Sequence, residues 1–274
     1  MAKEGSCPMC AGEMSLTRCE DQSDGLKWEH RQQVNCKRHK AEVSIRKGSW
    51  FEKSKMTLEE ILKLTYWWCQ DLDQAQIKHE GGLAESAGVE WSSFRRKVCK
   101  ISLLENSDKL GGKGKVVQID ESKFGKRKYH QRHHVKSQWV FGGIEEDSRK
   151  CFLVAVEKRD KQTLLPMIQQ WIEPGTIIVS YCRKAYLKLE AHGYEHRTVN
   201  QSVEFVNKDG DHTNKIEGHW RHAKCKLPKF GVREHLCSTY LAEFIWRYIH
   251  RFEDLFRVFL NDVKKVYATR ARKR

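Results

Sequence analysis

Hydrophobic positions along the chain change period twice. The first fifty residues follow no convincing period. From Thr57 a helical spacing begins. Leu58, Ile61, Leu62, Leu64, Trp68 and Cys69 share one face, Thr57 offers a side-chain cap, and Glu59 and Glu60 fall in the first turn, where the helix dipole favours acids. A second short helix is predicted over 74–79, broken by Gly81-Gly82, and a third over 89–104 that carries Arg95, Arg96, Lys97 and Lys100. Three short helices with a basic last member suit a helix-turn-helix whose final helix enters the major groove of DNA. The same pattern also fits a helical linker with a solvated basic face.

Past the glycine-rich linker 106–115 the pattern alternates between strand and helix. Strands are predicted over 116–120, 138–144, 151–157, 176–180 and 194–199, with 145–150 turning a hairpin. Helices are predicted over 163–172 and 182–191 and around Glu217. One last long helix carries an apolar stripe from Tyr240 through Phe244, Ile245, Tyr248, Phe252, Leu255 and Phe259 to Leu260, at a spacing that marks core packing. The organisation that follows is a metal-ribbon-like module over 1–50, a helical DNA-binding segment over 56–105, an α/β domain over 116–262 and a basic tail over 263–274.

Composition narrows the class. The chain has 274 residues, 39% of them hydrophobic, and no apolar run reaches the roughly 18 residues a membrane helix needs. The first residues lack the apolar core of a secretory signal, so export is not expected, and ten cysteines then read as metal ligands and buried thiols rather than disulfides. A net charge of +15 suits a polyanionic partner, with double-stranded DNA foremost, because each phosphate met by Lys or Arg releases counterions. A homo-oligomer is compatible with all of this.

Cys7-Pro8-Met9-Cys10 has the spacing of a zinc knuckle, and Cys19, His30, Cys36 and His39 lie downstream. Four of Cys7, Cys10, His30, Cys36 and His39 are the candidate zinc ligands. Cys36-x2-His39 has knuckle spacing, and His30 is an equally good nitrogen donor. A segment this short buries little core unaided, which favours metal over a disordered arm with incidental cysteines.

The α/β region holds the candidate chemistry. Val116-Val117-Gln118-Ile119-Asp120 is a β-branched run ending in an acid. The run 176–180 follows a Pro174-Gly175 turn and ends at Tyr181, and Glu217 lies in a helix-like stretch. Acids at adjacent strand ends plus a third on a later helix make the geometry of two-metal phosphoryl transfer, where hard Mg²⁺ ions need several carboxylates to offset their charge. Asn214, Glu217, Arg221 and Lys224 share one side of that helix, and Ile216, Trp220, Ala223 and Leu227 share a neighbouring apolar side. Pattern alone does not lift this above an ordinary exposed Glu–Arg pair.

Several phrases in order do. Ile119-Asp120-Glu121-Ser122-Lys123-Phe124, Gly125-Lys126-Arg127-Lys128-Tyr129, Trp139-Val140-Phe141-Gly142-Gly143-Ile144, Pro174-Gly175-Thr176-Ile177-Ile178, His212-Thr213-Asn214 and Ile216-Glu217-Gly218-His219-Trp220 resemble the catalytic core of ISXO-like and Merlin-type DDE transposases. Ser44-Ile45-Arg46-Lys47-Gly48-Ser49-Trp50-Phe51 extends the resemblance upstream. The resemblance implies a ribonuclease-H-like mixed sheet flanked by helices, preceded by a small zinc ribbon and a helix-turn-helix-like segment. It also implies a triad of acids that binds magnesium or manganese for DNA nicking and strand transfer.

In that comparison Asp120 matches the first acid and Glu217 the third. The family phrase Ser-Asp-Cys-Trp-Lys-Ala-Tyr reads Ser180-Tyr181-Cys182-Arg183-Lys184-Ala185-Tyr186 here, so Tyr181 stands at the second acid, and His30 stands where members tend to have Cys. A phenol, with a pKa near 10, brings one neutral oxygen on a bulky ring where the metals need a compact anion. Arg95, Arg96, Lys97, Lys100, Arg221 and Lys224 are the expected DNA contacts. Three readings remain open. The chain is a transposase-derived DNA-binding protein, domesticated or decaying, with an inactive nuclease site. Alternatively it is a working transposase with a substitute ligand, such as Glu121, Asp209 or Asp211, or an interaction scaffold. The segment Gly125–Lys128 and the basic tail suggest a nuclear address in a eukaryotic host, and a cytoplasmic one otherwise.

Overall fold

The structure is a computed structural model and describes residues 5–34, 37–125, 137–181, 186, 188–199, 210–228 and 232–271. The chain forms two compact units, one made of 1–92 together with 254–274, the other of 93–253.

The first unit opens with an antiparallel sheet in the order β1 (Gly5–Ser6), β2 (Glu13–Arg18), β3 (Leu26–Val34), β4 (Lys37–Ser44). Its apolar core is no more than Cys7, Met14 and Ala41 with Trp28 and Val43 against them, too little to hold a sheet by burial alone. Helix α1 (Leu58–Cys69) starts at the expected Thr57, which exchanges hydrogen bonds with Glu60 in a capping box. Asp24 at the β2–β3 turn is held bidentately by Arg46 at 2.5 Å and also accepts the Leu58 N–H at 2.9 Å, which ties the small sheet to α1.

Helix α2 (Gln74–Gly81) is capped by Asp73 and closes on the left-handed Gly82, and α3 (Glu85–Asn106) follows a three-residue turn. The helix-turn-helix spacing is therefore present, and α3 is longer at both ends than its periodicity indicates.

In the second unit, β5 (Leu110–Gly111) precedes the hairpin strands β6 (Val116–Phe124), β7 (Gln138–Glu145) and β8 (Cys151–Val156). Helix α4 (Lys161–Trp171), with Asp160 as its cap, leads through β9 (Ile172–Glu173) into β10 (Ile177–Tyr181), and β11 (Glu195–Val199) follows. The main sheet runs β11-β10-β6-β7-β8, antiparallel from β6 to β8 and parallel from β6 to β11. Alternation along β6 sorts its side chains. Val117 and Ile119 enter the α4-side core, and Phe124 enters the other, against α5 (Asn214–Lys226) and α6 (Glu234–Ile249). Three antiparallel strands joined by a helical crossover to two parallel ones, with helices on both faces, are the ribonuclease-H-like mixed α/β sheet.

Four expectations change. The strand at 116 does not stop at Asp120; it continues to Phe124, because β7 supplies ladder partners for every residue from Val117 onward. The single long terminal helix is two, α6 and α7 (Leu255–Ala271), separated at 250–254. Helix α7 belongs to the first unit, where Phe259 meets the rings of Trp50 and Trp68 at 5.5 and 5.0 Å. The stretch from 263, read as a tail, is helical to Ala271 with Val263 and Val266 turned inward. The helix expected over 182–191 falls partly outside the described residues; a 3-10 turn at Glu190–His192 is its described part. No helix among the described residues is long and apolar enough to cross a membrane.

Candidate active-site pocket and cysteine–histidine cluster

The knuckle at Cys7 turns back on itself. The Cys7 N–H donates to Gly12 O and the Ala11 N–H to Cys7 O, both at 2.8 Å. The antiparallel register places His39 opposite Gln32, one diagonal step from His30. Cys7 Sγ lies 3.1 Å from His39 Nε2 and Cys10 Sγ 3.3 Å from His30 Nε2, and the four donor atoms all fall within 4.8 Å of one another. The His30 Nδ1–H donates to the Glu13 carbonyl at 2.7 Å, which fixes the ring with Nε2 facing the sulfurs.

Gly12 is required by closeness, since a Cβ there would stand 2.8 Å from His30 Cε1. Burial pushes the Cys7 thiol up, but hydrogen bonds from His39 and the backbone at Met9 and Cys10 outweigh it and bring it down to about 6. The set is a Cys2His2 cluster able to take a metal ion. Cys36, the other sequence candidate, lies outside the described residues, and Cys19 is not part of the cluster.

Asp120 and Glu217 are both brought beside Tyr181. Asp120 projects from β6 to the α5 side, where its Oδ2 accepts the Trp220 indole N–H at 3.0 Å. The ladder sets Val179 beside Gln118, so two residues further on Tyr181 comes alongside Asp120 at the carboxyl ends of the parallel pair. The Tyr181 phenol donates to Glu217 Oε1. Thr213 Oγ1 stands 2.9 Å from the phenol oxygen and 3.0 Å from Glu217 Oε1. Burial raises the Tyr181 pKa, and the bond to Glu217 and the charges of Glu217 and Asp120 raise it further. The phenol is therefore neutral and acts as a donor. The site sets the carboxylates of Asp120 and Glu217 beside a neutral phenol that hydrogen-bonds the second of them.

Two of the other acids weighed as substitutes are engaged elsewhere. Glu121 points to the opposite face of β6, buried, and accepts the hydrogen bond of the buried Tyr186 phenol. Asp211 pairs with Arg197 at 3.3 Å, and Asp209 lies outside the described residues.

The expected DNA contacts divide. On α5, Arg221 and Lys224 are exposed on the same side as Asn214 and Glu217, as the spacing indicates, with Lys224 Nζ 5.6 Å from the Phe124 ring. On α3 the expectation is corrected. Arg95 and Arg96 are buried, Arg96 with its guanidinium 4.1 Å over the Tyr240 ring of α6. Lys100 donates to Ser238 at 3.0 Å, so Lys97 alone of the four is fully exposed.

Sequence reading missed Thr213 and Trp220 as site residues. Trp220 reads as core from its spacing, and only its indole N–H hints at a polar partner. His219, also buried on α5, lies between the rings of Phe244 and Tyr248 at 5.1 and 4.6 Å. Burial first, then the charges of His222 and Arg251, bring its imidazole down to about 4.

A family model described as the ISXO2-like transposase domain matches residues 109–248. An uncharacterized transposase-like protein of Haemophilus influenzae is 31% identical over 100 residues, which cover 36% of this chain and 80% of that protein. Among solved structures, the HTLV-2 integrase catalytic core domain in complex with magnesium aligns at 14% identity and a TM-score of 0.32, over 50% of this chain and 86% of the other. The BIV integrase catalytic core domain aligns at 11% and 0.34, over 56% and 97%. The topology, the convergence of the two acids and the matched residues place the chain in the ISXO2-like transposase domain family.

Proposed function

We propose that this chain is a transposase-derived DNA-binding protein whose cleavage and strand-transfer site is disabled at Tyr181. The observation that carries the reading is the neutral phenol hydrogen-bonded to Glu217 beside Asp120. Asp120 and Glu217 are read as the first and third acids of the ancestral triad. Two carboxylates and a phenol do not fit a pair of divalent ions, since two negative charges face four positive ones and a bulky neutral phenol stands where a compact anion is needed. Glu121 and Asp211, engaged as described, offer no replacement ligand.

The cluster of Cys7, Cys10, His30 and His39 fits a structural zinc ion. Two thiolates and two imidazoles are a zinc set, the ring of His30 is oriented from behind by a carbonyl, and the surrounding sheet has only a small core of its own. The net charge of +15 and the exposed Arg221 and Lys224 beside the pocket support double-stranded DNA as the partner.

The test is a nicking and strand-transfer assay on DNA carrying the element's ends, in Mg²⁺ and in Mn²⁺, with the unaltered chain and Tyr181→Asp side by side. Cutting by Tyr181→Asp alone is expected. Cleavage by the unaltered chain that disappears in Glu217→Ala would overturn the inactive-site reading. Inactivity of both would shift the function toward a scaffold.

A further inference from the structure

We propose that Gln118 is a positioning residue that fixes where Glu217 stands relative to Asp120, by capping helix α5 from inside the sheet. The proposal rests on the reading of Asp120 and Glu217 as the ancestral acid pair. A helix begins with backbone N–H groups that have no partner within the helix, and the cap residue's own side chain usually serves them. Thr213 is the cap residue of α5 and makes no such bond; its hydroxyl is turned to Tyr181 and Glu217 instead. The vacant role is filled from β6. Gln118 Oε1 accepts the N–H groups of both Lys215 and Ile216, at 3.1 and 3.2 Å.

Gln118 is itself held. It is 1% exposed, and its Nε2 donates to His212 Nδ1 at 3.1 Å and to Glu146 Oε1 at 3.3 Å. Glu146 in turn takes Lys215 Nζ at 3.0 Å on its carboxylate and again on its carbonyl. A glutamine in the middle of an apolar strand is costly to bury unless each polar atom is bonded, and here every one is. Gln118 and Asp120 are two residues apart on one face of one strand. The first grips the start of α5, and the second grips Trp220 in its middle. Glu217 lies between the two grips, so its carboxylate inherits the register of β6. The division of labour is that Gln118 caps the helix while the Thr213 hydroxyl faces Tyr181 and Glu217.

The experiment uses the full chain. Three readouts are taken: hydrogen exchange of the Lys215 and Ile216 amides, the Tyr181 phenol proton by NMR, and Mn²⁺ affinity by EPR in a chain carrying Tyr181→Asp. Gln118→Leu should speed exchange of the two amides about ten-fold or more while the β6–β7 ladder stays protected. It should abolish the phenol signal and weaken Mn²⁺ binding by about 10- to 100-fold, the range for supports behind metal ligands. Faster exchange with both the phenol proton and the Mn²⁺ affinity unchanged would overturn the proposal, because Gln118 would then stabilise the helix without placing Glu217.

If Gln118→Leu unfolds the sheet, two further variants decide. Gln118→Glu sets a second carboxylate against Glu146 and should lose amide protection, and adding Glu146→Gln should restore it. Equal protection in the two would overturn the proposal. Absence of Mn²⁺ binding from Tyr181→Asp itself would count against the acid-pair reading, and the phenol proton of the otherwise unaltered chain would then decide for Gln118, its loss in Gln118→Leu supporting the proposal and its persistence overturning it.

Discussion

Gly142→Ala should loosen the pocket without touching any acid. Gly142 lies opposite Asp120 on β7, in ordinary strand backbone, so alanine brings no dihedral strain. The added Cβ would stand 2.6 Å from Leu153 Cδ2, 2.7 Å from Trp220 Cη2 and 3.1 Å from the Phe152 carbonyl. Carbon atoms rest at about 3.5–4.0 Å, so both neighbours must retreat by roughly 1 Å. The Leu153 methyl is a flexible end and can rotate. The indole is rigid and is pinned by its N–H on Asp120 at 3.0 Å, a bond that a shift of that size carries past the usual limit of about 3.2 Å.

Overpacking costs about 1–3 kcal/mol, and a hydrogen bond to a half-buried carboxylate adds about 1.5 kcal/mol. The stiffer unfolded chain returns roughly 0.4–1 kcal/mol. A net loss of about 2–3 kcal/mol should appear in the opening free energy of the β6–β7 ladder amides, measured by hydrogen exchange so that only the second unit is read. Trp220→Phe removes both the crowding atoms and the indole donor, so in that background Gly142→Ala should cost about 1 kcal/mol or less. A cost below about 0.5 kcal/mol in the unaltered chain, or strict additivity of the two substitutions, would refute the claim that this glycine exists to seat Trp220.

Three further outcomes are expected. Chelation of the zinc proposed for the cysteine–histidine cluster, or His39→Ala, should melt the β1–β4 sheet while the ladder of the second unit keeps its protection, as circular dichroism and exchange would report. One equivalent of Co²⁺ should give the visible bands of a tetrahedral sulfur–nitrogen site, and their absence would count against the cluster as a ligand set. Because the His219 pKa is depressed in the folded chain, its contribution to stability is full above the unfolded value near 6.5 and is lost as pH falls from there towards about 4. That loss should amount to about 3 kcal/mol, and urea melts of His219→Phe across this window should show the slope removed. Arg46→Ala, which strands the buried Asp24 carboxylate, should destabilise the first unit by about 3–5 kcal/mol in denaturant, and Asp24→Asn with Arg46→Met should recover much of it.

The parts of this fold that were legible in sequence are those where one face is buried and the other wet. Helix α5 is the clearest case. Its exposed side (Asn214, Glu217, Arg221, Lys224) and its buried side (Ile216, Trp220, Ala223) both follow from spacing alone. The break between α6 and α7 was hidden because Phe252 falls on the apolar stripe yet is 88% exposed, so the period ran on across a turn. Arg95 and Arg96 misled in the opposite sense, since a buried guanidinium is the exception that charge patterning cannot see. The strands of the first fifty residues carry little alternation because there is little core for them to face. Gln118 was visible as a polar residue in an apolar run, but what it caps lies almost a hundred residues away, beyond any local pattern.

The first unit is assembled from two stretches of chain separated by the whole of the second. Trp50 and Trp91 meet at 5.0 Å, and Phe259 of α7 closes against Trp50 and Trp68. During synthesis the first stretch therefore waits for residues made only after the whole second unit. Residues 93–253 form their unit from one continuous stretch and can collapse as they emerge, whereas the tryptophans of the N-terminal segment stay without their closing helix until α7 appears. A fragment ending at residue 92 should accordingly be sticky and in need of a chaperone, and supplying α7 as a separate peptide should render it soluble.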